Sequence, residues 1–198
     1  DTNEGKKLRL KQQYFFSAAS LTDIIKKHKA RFGTLDNLAD YISIQLNDTH
    51  PVISVPELIR QLVDNEGYTF EKALEIAKKV FNYTNHTVMQ ALEKWWIGLV
   101  EEVLPRIYEI IIQINEELIA EMYAKGMERA KIDRVKIIKG ELIHMADMAC
   151  YASSHINGVA EIHTQILKDS VLADWYSIYP ERFLNETNGI TQRRWLAL

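Results

Sequence analysis

Residues 41–51 have the sequence Tyr-Ile-Ser-Ile-Gln-Leu-Asn-Asp-Thr-His-Pro, an apolar run that stops at consecutive polar side chains. The β-branched residues of 41–46 predict a buried strand, and Asn47, Asp48 and His50 follow its carboxyl end. In open α/β sheets, ligands bind in the crevice outside the carboxyl ends of the strands. This stretch therefore predicts an α/β fold with a polar ligand site at a strand end.

The same pattern recurs further along the chain. A strand predicted at 80–83 leads into Thr84-Asn85-His86-Thr87, and a third strand predicted at 142–150 leads into the polar residues 153–158. A turn-rich loop at 185–191 adds further amides and hydroxyls. Because several strands end in similar polar groups, we expect these loops to belong to one site.

Helical patterns connect these strands. Residues 5–30 are helical in pattern, with Leu8 and Phe15 on the expected buried face and Gly33 as the stop. Residues 89–124 predict long helices that break near 95–98 and again at Pro105, and residues 131–139 predict a basic linker. A further helix from Gly158 has an expected buried face of Ile162, Ile166 and Leu167, and residues 175–183 read as irregular.

The connection between the first two strands has its own helix signals. Ser54 and Glu57 have the spacing of a capping box, with Pro56 in the first turn, and Thr69 precedes the next helix. The order strand, helix, helix, strand predicts a parallel crossover unit.

Composition excludes several classes of function. The net charge of −3 gives no electrostatic case for nucleic acid or an anionic membrane, and the longest apolar stretch is too short to span a bilayer. The single cysteine, Cys150, indicates a reducing compartment, so we expect a cytoplasmic protein. The chain ends on apolar residues in mid-pattern, which favours a fragment of a longer protein.

The polar loops suit a ligand with many hydroxyl groups, because amides, hydroxyls and imidazoles donate and accept in fixed directions. They suit a metal poorly, and the isolated glycines form no phosphate loop. Taken singly, His50 and His86 fit a structural role equally well. For Trp95 and Trp96 we favour packing over sugar stacking.

At these residues the chain resembles the glycogen, starch and maltodextrin phosphorylases, that is, the α-glucan phosphorylases. The resemblance runs in order from end to end and is highly specific. The matching strings are Glu4-Gly5-Lys6-Lys7-Leu8-Arg9-Leu10-Lys11-Gln12, Ile44-Gln45-Leu46-Asn47-Asp48-Thr49-His50-Pro51, Tyr83-Thr84-Asn85-His86-Thr87-Val88, Leu104-Pro105-Arg106, Asn157-Gly158-Val159-Ala160, Thr187-Asn188-Gly189-Ile190-Thr191 and Arg193-Arg194-Trp195.

The resemblance implies that residues 1–198 are one piece of the amino-terminal domain of a two-domain GT-B glycosyltransferase. Such an enzyme transfers a terminal glucosyl unit from an α-1,4-glucan to inorganic phosphate and releases glucose 1-phosphate. Its cofactor is pyridoxal phosphate, whose Schiff-base lysine belongs to the carboxyl-terminal domain and has no counterpart here. Lys26-Lys27 replaces an arginine pair that binds a regulatory phosphate in animal enzymes, so we expect that control to be absent.

The resemblance also implies roles for individual residues. His86 is the catalytic residue: with Asn188 it binds the glucose 6-hydroxyl, and its main-chain carbonyl faces the developing oxocarbenium ion. Asp48 and His50 lie on the glucan side. Arg9 lies near the entrance of the site, and Val159 packs against the glucose.

The resulting hypothesis is a phosphorylase fragment that is inactive alone and that binds neither nucleic acid nor a membrane. The alternative from a different class is a stand-alone carbohydrate-binding or regulatory module, which would bind glucan by itself. A purely structural helical scaffold is a third reading, but it leaves the polar strand ends unexplained. Self-association into a homodimer through exposed apolar surface stays open.

Overall fold

The computed structural model describes residues 2–87 and 92–193 of the chain. Val88, Arg194 and Trp195, which belong to the matching strings, lie outside the described residues. Within the described part, an α/β fold combines a parallel sheet, a smaller antiparallel sheet and many flanking helices. This confirms the predicted fold class of parallel strands with flanking helices.

The parallel sheet contains four strands in the order β1-β2-β6-β7. Leu46 of β1 pairs with Tyr83 of β2, Tyr83 with Ile156 of β6, and Ile156 with Phe183 of β7, so four buried side chains cross the sheet in register. The strands are β1 (Ile44–Asn47), β2 (Phe81–Thr84), β6 (Ile156–Gly158) and β7 (Phe183–Asn185).

The first predicted strand was placed slightly too early. Tyr41 ends a short helix, α2 (Leu38–Tyr41), and only the second half of the apolar run pairs with β2. The alternation of exposed and buried residues begins at Ile44, where a partner strand is available. The strand predicted at 80–83 is correct to within one residue.

The crossover between β1 and β2 is confirmed, because two helices connect two adjacent parallel strands. Helix α3 (Ser54–Arg60), extended by a π-helical turn (Gln61–Asn65), is followed by α4 (Phe70–Val80), which Thr69 caps by accepting from the Lys72 amide.

The predicted capping box between Ser54 and Glu57 is wrong. The helix begins one residue earlier, at the Ile53 cap, and no side chain caps it. Glu57 is fully buried and turns into the protein, where the Arg60 guanidinium donates two bonds of 2.8 Å and the Tyr14 hydroxyl one of 3.0 Å. There the Glu57 carboxylate accepts several bonds, two of them from a guanidinium, whereas a capping box would give it one main-chain amide.

Helix α1 (Asn3–Phe32) is longer than predicted and ends at Gly33 as expected, with the glycine in the left-handed conformation at φ 71°. Its predicted buried face is partly wrong, since Leu8 and Phe15 are 57% and 74% exposed. The helix packs on α3 and on α5 (Ile97–Val103) along one stripe only, so the other apolar residues point outward. Buried on that stripe are Leu10, Ser17, Leu21, Ile25 and His28.

The third predicted strand, 142–150, is wrong. Only β5 (Leu142–His144) is extended, and Met145–Tyr151 form helix α8, buried at every position but one. A fully buried helix has the same continuous apolar pattern as a buried strand, so periodicity cannot separate them. The third strand of the parallel sheet is instead β6, which lies where the predicted polar loop stood.

The antiparallel sheet was not predicted. Its order is β3-β5-β4, and it contains β3 (Lys94–Trp96) and β4 (Ile138–Lys139) on either side of β5. Strand β3 occupies the predicted break before α5, and Pro105 starts helix α6 (Pro105–Ala124) as predicted. The expected linker at 131–139 is largely helix α7 (Arg129–Val135).

The last part of the chain is more regular than predicted. It contains α9 (Glu161–Ile166), a π-helical turn (Leu167–Val171), α10 (Ala173–Ile178) and a 3₁₀ turn (Pro180–Arg182) before β7. Leu167 is buried as predicted, but Ile162 is 75% exposed. No helix among the described residues is both long and apolar enough to cross a membrane.

Candidate functional site

Polar loops meet at the carboxyl edge of the parallel sheet. Asn47, Thr84, Gly158 and Asn185 are the last residues of the four strands, so the segments that follow them leave the sheet at one edge. The structure therefore brings together the predicted polar regions at 47–50, 84–87 and 185–191. From the fourth region it adds Asn157, whose side-chain oxygen accepts from the Thr84 hydroxyl at 2.8 Å.

Asp48 forms the turn by which the chain leaves β1. Its backbone has a φ of 67°, which is uncommon for a residue other than glycine but tolerated by aspartate. The main-chain amide donates to the Thr84 carbonyl at 2.8 Å, and the carboxylate accepts from the amide of Thr49 at 2.6 Å. Asp48 is buried, so its side chain stabilises the turn that presents His50 to the solvent.

His86 is exposed and its Nε2 contacts Oδ1 of Asn47 on the neighbouring strand. With the Asn47 oxygen as acceptor, Nε2 carries the hydrogen and Nδ1 offers a lone pair. One side chain from β1 thus holds the imidazole in position at the edge of the sheet.

Asn85 holds the loop that carries His86. It is fully buried, its main-chain amide donates to the Asn157 carbonyl at 2.9 Å, and its carboxamide accepts from the Thr87 amide at 2.9 Å. The carboxamide also donates to the Tyr83 hydroxyl at 2.9 Å, and burial raises the pKa of that phenol well above its usual value. The three bonds fix the backbone on both sides of His86.

The end of β6 is shaped by a close approach of helix α9. A Cβ on Gly158 would lie 2.9 Å from the backbone nitrogen of Thr164, so only glycine fits there. This approach lets His163 reach back one helical turn, and its Nδ1 accepts from the main-chain amide of Val159 at 3.2 Å. Its Nε2 lies 3.4 Å from the Thr87 carbonyl, so His163 links the Val159 and His86 loops.

Asn188 is placed beside Val159 by main-chain bonds that continue the pairing of β6 and β7. The Glu186 amide donates to the Gly158 carbonyl at 3.2 Å, and the Asn188 amide donates to the Val159 carbonyl at 2.9 Å. Asn188 is exposed.

Arg9 and His50 form a second cluster with Glu93. The guanidinium Nη2 of Arg9 lies 3.3 Å from Nδ1 of His50 and 3.4 Å from Oε1 of Glu93, while His50 Nδ1 lies 3.4 Å from Oε2 of Glu93. The Glu93 side chain is 10% exposed, whereas those of Arg9 and His50 are more than half exposed. Arg9 thus comes from helix α1 to the same end of the molecule as the loop after β1.

Some predicted members of the site lie elsewhere. His155 precedes β6, contacts Asn82 near the start of β2, and is therefore at the opposite edge of the sheet. Sequence reasoning missed His163, Gly158 and Glu93. The one available signal was the spacing of four residues between Val159 and His163, which places both on one side of a helical turn.

The arrangement offers directional hydrogen-bonding groups rather than a reactive nucleophile or a metal centre. In residues 2–87 and 92–193, no three histidine, cysteine, aspartate or glutamate side chains are grouped closely enough to hold a metal ion. Imidazole, carboxamide and main-chain groups held by short-range bonds can recognise a polyhydroxylated ligand, since each hydroxyl needs a donor or an acceptor at a defined position.

Comparisons with known proteins agree with this chemistry. A family model described as carbohydrate phosphorylase matches residues 1–198. The chain is 44% identical to a glycogen phosphorylase of Haemophilus influenzae, 47% identical to the brain form of glycogen phosphorylase of Mus musculus and 42% identical to a glycogen phosphorylase of Chlamydia pneumoniae, with 98–100% of the chain covered. The structure is that of an α/β protein whose polar loops meet at the carboxyl edge of a parallel sheet. The chain belongs to the carbohydrate phosphorylase family. It spans about a quarter of the length of these relatives.

Proposed function

We propose that this chain is an internal piece of the amino-terminal domain of an α-1,4-glucan phosphorylase. The parent enzyme transfers a terminal glucosyl unit from the glucan to inorganic phosphate and yields glucose 1-phosphate. The observation that carries the proposal is the edge at which His86, Val159 and Asn188 converge, in a chain that resembles glycogen phosphorylases over almost its whole length.

His86 and Asn188 bind the glucosyl unit that is transferred. Asn47 holds Nε2 of His86, which leaves Nδ1 to accept from the 6-hydroxyl, and the Asn188 carboxamide supplies a second polar contact to the same group. The main-chain carbonyl of His86 faces the anomeric carbon, where its negative end stabilises the positive charge of the oxocarbenium-like transition state. The bonds made by Asn85 keep that carbonyl in place before the substrate arrives.

The remaining site residues position the sugar chain. Val159 packs against the glucosyl ring, Asp48 shapes the turn beneath it, and His50 and Arg9 contact the glucan beyond the cleavage point. The pairing of Arg9 and His50 with Glu93 holds these two exposed side chains in fixed orientations.

Pyridoxal phosphate is assigned to the part of the parent outside this chain. In the parent, the cofactor's phosphate would supply acid–base chemistry to the substrate phosphate. The residues of this chain bind and orient the sugar.

Three further properties belong to the same proposal. The isolated chain is inactive because it forms only one wall of the cleft, the parent works in the cytoplasm, and exposed apolar residues such as Phe15 and Phe16 support self-association. The two-domain GT-B arrangement is likewise proposed for the parent.

The test is phosphorolysis by the full-length parent carrying His86→Ala. Loss of the imidazole leaves the 6-hydroxyl without its acceptor and removes the contact to Asn47 at the end of β1, which should lower kcat/KM on the order of 100-fold. His155→Ala is the matched control, since this exposed histidine lies at the opposite edge of the sheet. An unchanged rate in the His86 variant would exclude it from the site.

A second measurement separates this proposal from the alternative of a stand-alone carbohydrate-binding module. The isolated chain, mixed with glycogen, phosphate and pyridoxal phosphate, should release no glucose 1-phosphate and should bind glycogen weakly. Turnover by the isolated chain would refute the inactive-piece reading, and tight glycogen binding would favour the binding module.

A further inference from the structure

A groove with a volume of about 790 Å³ runs beside the candidate site, between the first turns of helix α1 and strand β3. Arg9, His50 and Glu93 line one part of it, and Trp96 lines another. His50 is three residues beyond Asn47, the residue that contacts His86, so the groove is continuous with the loop that leaves β1. The groove therefore borders the loop that follows β1, one of the loops of the candidate site.

Trp96 presents an ordered aromatic surface in this groove. The residue is 55% exposed although it pairs with Leu142 in the antiparallel sheet. Its six-membered ring lies against the backbone of Gly98, where an added Cβ would lie 2.5 Å from the ring. Sheet pairing and the glycine thus hold the indole on one side and leave the other side accessible.

The groove combines this aromatic surface with planar polar groups. Arg9, His50 and Glu93 contact one another, and Lys7 donates to Glu102 at 2.6 Å. Lys6 and Lys94 add two further cationic side chains to the lining. An aromatic ring packs against the apolar face of a sugar, while guanidinium and imidazole groups bond its hydroxyls. The same combination offers little to a purely apolar partner.

We propose that the groove is a remote subsite for the glucan, in which one glucosyl unit stacks on Trp96 and the chain continues past Arg9 and His50 toward His86. This inference rests on the proposed function and extends it to a residue that the family resemblance does not assign. Because only a glucan long enough to pass His50 reaches the indole, Trp96 acts on long substrates and not on short ones.

The test compares Trp96→Ala with wild type in the full-length parent holoenzyme, using maltotetraose, maltoheptaose and glycogen. Loss of the stacking surface should raise KM for maltoheptaose and glycogen about tenfold at unchanged kcat. The KM for maltotetraose should stay the same. Tyr123→Ala is the matched control, because Tyr123 is a 53% exposed aromatic residue outside the groove.

Two further variants protect the test against simple misfolding. Trp96→Phe keeps an aromatic ring and should recover most of the affinity for long glucans. Gly98→Ala keeps the indole, but the added Cβ displaces it from its position against the backbone of residue 98. This variant should raise the same KM values as Trp96→Ala. If the KM for each glucan is the same in every variant as in wild type, the subsite is overturned. An equal loss for short and long glucans would assign Trp96 to packing against the rest of the parent and also overturns it.

Direct binding separates this inference from the proposed function. Calorimetric titration of wild type and Trp96→Ala with maltoheptaose does not depend on turnover. If wild type binds maltoheptaose more tightly than the variant but releases no glucose 1-phosphate from any glucan, the phosphorylase function fails and the subsite stands. If turnover is observed and the two proteins bind maltoheptaose equally, the subsite fails and the function stands.

Discussion

Two polar regions of the molecule differ in what surrounds them. At the carboxyl edge of the parallel sheet, His86, His50 and Asn188 are exposed, and a neighbouring side chain or main-chain group sets their position. Around Glu121 of helix α6, by contrast, the polar side chains form hydrogen bonds with one another. Lys78 donates to the Glu121 carboxylate at 2.8 Å, and the hydroxyls of Tyr151 and Tyr179 donate to it at 2.9 and 2.7 Å.

The hydrogen bonds and charges of the Glu121 cluster stabilise the packing of the elements around it. Bonds from Lys78 and the two tyrosines outweigh desolvation and lower the pKa of Glu121 to about 2, while burial raises the pKa of both phenols. A strongly shifted pKa is often taken as a mark of function. Here the shift occurs where helices meet, whereas the candidate site consists of exposed groups that a ligand can reach.

The largest expected effect is on the Glu121 cluster. Glu121→Ala leaves the partly buried Lys78 and the buried Tyr151 and Tyr179 without their shared acceptor, and should lower the free energy of unfolding by about 3 kcal/mol. Chemical denaturation of the purified protein measures this. Glu117→Ala, at an exposed position on the same helix, should change it by under about 0.5 kcal/mol. Equal effects of the two substitutions would contradict the packing role.

Acid should weaken the same cluster with a defined sign. The folded-state pKa of Glu121, about 2, lies below the ordinary value of 4.5, so its stabilisation is present above pH 4.5 and is lost as the pH falls toward 2. The shift corresponds to roughly 2 kcal/mol after allowance for the 28% exposure of the side chain. Unfolding measured from pH 6 to pH 2.5 should show this loss in wild type and a flatter profile in Glu121→Gln. Identical profiles would assign the acid sensitivity to other carboxylates.

The smallest effect on stability is expected at the site, where His163 links two loops. His163→Ala should lower the free energy of unfolding by about 1 kcal/mol or less, because the residue is partly exposed and its bonds are long. In the parent it should lower kcat about tenfold by loosening the His86 loop. Chemical denaturation and phosphorolysis kinetics measure the two effects.

Two conservative variants separate the effects of the two hydrogen bonds that His163 makes. Asn at this position keeps an acceptor near the Val159 amide, and Gln keeps a donor near the Thr87 carbonyl. Each should recover part of the activity. If His163→Ala destabilises the protein as much as Glu121→Ala, the contrast between the two regions does not hold.

Local signals predicted the elements that depend on local physics. Pro105 begins a helix, Thr69 caps one and Gly33 ends one, since each effect lies within a single turn of backbone. The pattern failed at 142–150, because a helix buried on all sides resembles a buried strand. It also failed at Glu57, whose carboxylate accepts from Arg60 and Tyr14 instead of bonding the first amides of the helix.

In the candidate site, too, the sequence identified residues that follow a local pattern and missed those that depend on tertiary contacts. The polar clusters after β1 and β2 could be identified because they follow apolar runs, and His86, Asp48 and Asn188 were singled out through them and through the family resemblance. His163 could not be assigned to the site, since its function depends on the close approach that Gly158 permits. His155 was expected at the wrong edge because the strand beside it was misplaced.

By itself, the sequence determined the family, the α/β class and the polar groups that the candidate site contains, since these depend on residue identity and order. Only the tertiary structure decided which of those groups meet. The parallel register sets Asn47 beside His86, the glycine at the end of β6 admits His163, and the antiparallel sheet carries Trp96 to a groove next to His50. Such meetings depend on contacts between residues distant in sequence, which no local pattern records.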